Sequence, residues 1–138
     1  MRFSQKTHYA LRAMLDLALC PPGETRSIAT IGQRQHIPEQ FLHVIMRELR
    51  QGGFVESRRG KQGGYRLGRP AREQSIGELV RYLEGGFFEL DDSHTPAAYG
   101  DLWARIQVSC DAILDATSLA DLAARERQHA SGAADYVI

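Results

Sequence analysis

From Ser4 to Cys20 the apolar residues recur at Tyr9, Leu11, Met14, Leu15, Leu17 and Ala18. This spacing predicts a helix with Ser4 placed to cap its N-terminus. Pro21-Pro22-Gly23 breaks it. Ser27 then precedes Ile28-Ala29-Thr30-Ile31, predicting a short helix that ends near His36. Pro38 suits the first turn of a third helix, where its missing N–H would have no partner anyway. Phe41, Leu42, Ile45, Met46 and Leu49 form that helix's apolar stripe, and Gly52 or Gly53 is a natural stop.

The period then changes. Phe54-Val55-Glu56-Ser57 and Tyr65-Arg66-Leu67 are short strand-like runs flanking Arg58-Arg59-Gly60-Lys61-Gln62-Gly63-Gly64. Two helices joined by a few residues, followed by a basic, glycine-rich hairpin, predict a helix-turn-helix with a wing. Ser75-Ile76-Gly77-Glu78 is a capping box opening a fourth helix through Leu79, Val80 and Leu83. A loop follows to Pro96, and a long helix from Ala97 or Ala98 to about Ala116. Thr117 or Ser118 should cap a short last helix through Leu119, Leu122 and Ala123, with a disordered tail from His129. The expected fold is mainly α with a small β-wing. A winged helix-turn-helix domain would occupy residues 1–84, an effector or sensor loop 85–97, and a dimerisation helix, short last helix and tail 98–138.

Charge sharpens this picture. The net formal charge is zero, but residues 1–85 hold 14 Lys/Arg against 8 Asp/Glu, and residues 86–138 hold 3 against 9. A basic head and an acidic remainder point to a polyanionic partner for the head alone, namely double-stranded DNA. No apolar run is long enough to cross a bilayer, and the N-terminal stretch, with Arg12 and Asp16, is unlike a signal peptide. A cytoplasmic location without membrane contact is expected. Cys20 and Cys110 lie far apart and read as buried, reduced thiols.

Within the head, Glu39, Gln40 and His43 lie off the apolar stripe near the start of the third helix, the end that enters the major groove in helix-turn-helix proteins. Gln40 suits adenine and His43 a guanine acceptor. Arg47 and Arg50 suit phosphates or open surface. Ser4, Gln5, Lys6 and Tyr65 are candidate contacts to the DNA backbone. In the wing, Arg58, Arg59, Gly60 and Lys61 combine cations with a backbone able to approach a groove closely. Leu102, Trp103, Ile106, Cys110, Ile113 and Leu114 form an apolar surface on the long helix that calls for a second copy of the chain. There is no phosphate loop, HExxH or nucleophile elbow, so an enzyme is not expected.

The opening Met1-Arg2-Phe3-Ser4 with Tyr9-Ala10 and residues Ala13 to Ala18 resembles the start of the IscR, NsrR and CymR regulators (the Rrf-two family). So does Arg59-Gly60-Lys61-Gln62-Gly63-Gly64-Tyr65-Arg66-Leu67, followed by Pro70-Ala71 and Ile76-Gly77-Glu78. The resemblance implies a winged-helix homodimer that binds a pseudo-palindromic operator, usually as a repressor, with Arg59 entering the minor groove. Many members hold an iron–sulfur cluster on three cysteines before the long helix. Residues 87–100 contain none here, which places the chain with the cluster-free, CymR-like branch and predicts no cofactor.

Two other readings compete. The winged helix could serve as a protein-interaction adaptor, its acidic second half binding a partner enzyme. Alternatively the chain senses metal or redox state through His8, His94 or Cys110, with Asp91 or Asp92 completing a metal site; a lone helical histidine is more often structural. The signal itself would be a small-molecule effector or a partner enzyme.

Overall fold

The computed structural model describes residues 2–61, 63–85 and 93–135. Helices α1 (Gln5–Ala18), α2 (Ile28–Gln35) and α3 (Glu39–Gln51) lead into strands β1 (Val55–Arg58) and β2 (Gly64–Leu67). A single 3-10 turn (Ala71–Glu73) precedes α4 (Ile76–Glu84), α5 (Ala97–Ala116) and α6 (Leu119–Asp135). No helix among the described residues is long and apolar enough to cross a membrane.

The caps fall where the sequence places them. Ser4 accepts the Thr7 N–H at 3.3 Å and Ser27 the Thr30 N–H at 3.1 Å, each relieving one orphan donor of a first turn. Pro38 sits one residue earlier than expected, as the N-cap of α3. His36 turns the chain between α2 and α3 in the left-handed region at φ 56°. Gly32 permits that turn, because a Cβ there would lie 2.8 Å from the Ile37 carbonyl oxygen.

One core joins the head. Ala10, Ala13, Met14 and Leu17 of α1 meet Ile31, Leu42, Ile45, Met46 and Leu49, and Phe54, Val55, Ile76, Leu79, Val80 and Leu83 close it from below. Leu119 and Ala123 of α6 are buried as well, so the chain returns to its own head after α5. Backbone bonds seal that return: Ile76 N–H to Thr117 O at 2.9 Å and Leu119 N–H to Gln74 O at 2.8 Å.

Four expectations need correction. Phe41, counted in the apolar stripe of α3, is 52% exposed, because the buried arc centres on Leu42, Ile45, Met46 and Leu49. The last helix is not short: α6 runs to Asp135 and takes up residues 129–135 of the tail expected to be disordered, the remainder of that tail lying outside the described residues. Beyond Ala123 it carries no apolar stripe, but the run from Ala124 to Gln128 consists of good helix formers, and Arg127 reaches back to the Ala18 carbonyl at 3.4 Å. The capping box is half made. Ser75 Oγ accepts the Glu78 N–H at 3.0 Å, but the Glu78 carboxylate pairs with Arg69 at 3.0 Å instead of reaching back. Leu114, expected to face a second copy, packs against the core of its own protomer. Most of the expected sensor loop lies outside the described residues.

Candidate nucleic-acid interface

The wing is built by register. Val55 pairs with Leu67, Glu56 with Arg66, Ser57 with Tyr65 and Arg58 with Gly64 in an antiparallel ladder. Glu56 and Arg66 form a cross-strand ion pair. The hairpin is tightened by the Gly63 N–H to Gly60 O bond at 2.9 Å, and Arg58, Arg59, Gly60 and Lys61 are exposed at its tip. Among the described residues these three cations have no ion-pair partner, unlike Arg66 and Arg69 nearer the root.

The root of the wing is fixed to the helix-turn-helix. Tyr65 and Arg26 exchange backbone bonds, Arg26 N–H to Tyr65 O at 2.9 Å and Tyr65 N–H to Arg26 O at 2.7 Å. The segment just before α2 thereby becomes a third, one-residue strand. Gly64 is what permits it. Its φ is +153°, and a Cβ there would stand 2.6 Å from the Arg26 carbonyl oxygen. Gly64→Ala is therefore expected to lower stability by more than about 1 kcal/mol and to weaken duplex binding through a displaced wing. Urea unfolding and a binding titration check the two effects.

On α3, Glu39, Gln40, His43, Arg47 and Arg50 are all exposed. Arg50 donates to Ser57 Oγ at 3.2 Å and so ties the end of α3 to β1; Glu39, Gln40, His43 and Arg47 make no such contact among the described residues. Lys6 is less free than expected, paired with Glu48 of α3 at 3.2 Å. The Ser4 N–H donates to Glu84 at 2.7 Å. Hydrogen bonds from the Thr7 hydroxyl and the Ser4 N–H hold the Glu84 carboxyl below its ordinary range. Tyr65 is half-buried against the core, where it supports the sheet.

A residue that sequence reasoning did not single out for this role holds the interface together. Asp16 of α1 is 0% exposed. Oδ1 accepts from Arg34 Nε at 2.9 Å and from Gln35 Nε2 at 3.1 Å, both on α2. Arg26 Nη1 lies 2.9 Å from Oδ2 and donates to the Asp16 carbonyl oxygen at 2.8 Å. Burial pushes the Asp16 carboxyl up, but the bonds from Arg34, Gln35 and Arg26, with the Arg26 charge, outweigh it and leave its pKa below the ordinary value. One carboxylate thus clamps α1 to α2 and to the strand under the wing. The available signal was an acid in register with Ala13 and Leu17 on the buried side of α1.

Away from this face, α5 has no buried residue. Tyr99, Leu102, Trp103, Ile106 and Ile113, at i, i+3, i+4, i+7 and i+14, share one arc. Its last turns are pinned to α4, where Arg81 pairs with Asp115 and, at 3.7 Å, with Asp111. Cys20 and Cys110 are half-buried free thiols. They are the only cysteines in the sequence, so one chain cannot furnish three thiolate ligands. His8 meets the Phe3 ring edge-on at 6.0 Å and His94 lies beside Ser93. No three His, Cys, Asp or Glu side chains converge among the described residues; Asp91 and Asp92 lie outside them.

A helix-turn-helix with a cationic wing locked to it defines a winged-helix DNA-binding regulator. The profile of the Rrf2 family, described as an iron-dependent transcriptional regulator, matches residues 3–125. The transcriptional regulator CymR of Bacillus subtilis is 35% identical over 125 residues, spanning 89% of this chain and 90% of CymR. A solved structure of CymR, the global cysteine regulator of B. subtilis, superposes with a TM-score of 0.82 at 33% identity, covering 91% of this chain and 98% of that one. IscR of T. potens superposes with a TM-score of 0.75 at 35% identity, covering 88% and 85%. The chain belongs to the Rrf2 family of transcriptional regulators, and it is not an enzyme.

Proposed function

We propose that the chain acts in the cytoplasm as a homodimeric repressor of pseudo-palindromic operators and works without a resident iron–sulfur cluster. The observation that carries the reading is the pairing of two features on one protomer. A cationic wing and an exposed α3 face stand ready for DNA, while a 20-residue helix leaves its apolar side uncovered, with Ile113 68% exposed. Apolar surface of this kind is stabilised by a second copy related by a two-fold axis. Two recognition helices would then enter major grooves about one helical turn apart while the wings reach the flanking minor grooves. Residues 87–100 carry no cysteine, which supports cluster-independent binding and leaves the signal to a small molecule or a partner enzyme.

Selection from random duplex DNA with reduced, metal-free protein tests this reading. A pseudo-palindrome is expected to be enriched. Its affinity should fall by about 10³-fold or more between 50 and 200 mM salt if six or more phosphates are neutralised. Failure to enrich any sequence from metal-free protein would overturn it.

A further inference from the structure

A shallow groove of about 580 Å³ runs between α1 and α3, lined by Gln5, Lys6, Tyr9, Phe41, Val44 and Ile45. At its edge, Val44 is 61% exposed. Gln40, Val44 and Arg47, at i, i+4 and i+7, run down the side of α3 opposite the buried Leu42, Ile45, Met46 and Leu49. The apolar spot therefore lies inside the polar face formed with Gln40, His43 and Arg47. Phe41 is turned toward α1, where its ring stands 6.2 Å from that of Tyr9, and the Tyr9 hydroxyl accepts from Gln5 at 2.7 Å. The aromatic pair is the wall of the groove, and Val44 is the apolar group facing outward.

Water gives such a valine nothing, and its β-branch costs side-chain freedom in a helix. A major groove offers it one apolar feature, the thymine C5-methyl group. We propose that Val44 reads a thymine methyl, one helical turn beyond the base read by Gln40. The inference rests on α3 entering the major groove as in the proposed function, and it adds a specificity element made of hydrocarbon alone.

The test uses the full-length protein and the operator found by selection, with each thymine of one half-site replaced in turn by uracil. Uracil deletes the methyl and leaves pairing and hydrogen-bonding edges intact. Wild-type protein should bind about fourfold more weakly at one thymine position, the ratio expected from losing one buried methyl group. In Val44→Ala that ratio should fall toward one, since only the β-carbon remains to meet the methyl. Alanine at an exposed helix position favours the helix, so the variant is expected to fold, which circular dichroism checks. A uracil penalty that persists in Val44→Ala, or no uracil-sensitive thymine in wild type, overturns the inference while the enriched palindrome keeps the proposed function standing. A selection that enriches nothing removes both.

Discussion

Asp16→Ala is expected to lower the stability of the protein by about 3 kcal/mol, read as a shift of the urea midpoint with an unchanged slope. Removing one partner of a buried ion pair costs about 3–5 kcal/mol, because the charge left behind is no longer compensated. The lower end applies here, since Arg34 is 52% exposed and can return to water. Arg26 is mostly buried and cannot do so as easily. The loss should depend on pH. The folded pKa of Asp16 lies below its ordinary value, so the carboxylate contributes fully above the unfolded value of about 3.9. That contribution fades as pH falls through the folded value. Stability curves of wild type and Asp16→Ala should run parallel near neutrality and converge in acid. A constant gap down to pH 2 would assign the effect to packing alone.

Arg59→Ala is expected to weaken operator binding by about 1–3 kcal/mol, or about 5- to 150-fold at fixed salt. The residue stands at the exposed tip of the hairpin and has no internal partner among the described residues to give up. A guanidinium inserted into a narrow, A·T-rich minor groove gains from the focused negative potential there. Repeating the selection with the variant should relax preference at the flanking positions and leave the inner ones intact. Affinity and preference both unchanged would mean that the wing stays out of the DNA.

Much of the head was legible in the sequence because each signal was local. Ser4, Ser27 and Ser75 announce their helices through bonds spanning three residues, and the glycines around Lys61 announce the hairpin. What escaped depended on distant partners. Glu78 looks like a capping-box acid until the fold brings Arg69 beside it. Phe41 lies on the edge of an apolar stripe, and only the packing of α1 decides that its ring lines an open groove beside Tyr9 instead of the core. Asp16 resembles a solvated charge until α2 closes over it. The end of α6 carries no apolar period at all, and propensity with its return to the head makes it a helix. Among the candidate site residues, those of the wing tip and of the N-terminal part of α3 are exposed. Ser4, Lys6 and Tyr65 are instead engaged within the fold, through groups more than 40 residues away in the first two cases.

The two backbone bonds between Arg26 and Tyr65 have a consequence for the DNA as well as for the protein. They tie the segment that leads into α2 to the root of the hairpin, so in the proposed complex the helix-turn-helix and the wing would approach the duplex as one unit. Within a half-site bound in that way the two readings would be held in fixed phase, and a single inserted base pair would rotate one of them about a tenth of a turn out of alignment. Operators of such a protein can drift by substitution, one position at a time. Insertions and deletions inside a half-site are closed to them, so regulated promoters should differ in lettering while keeping one length.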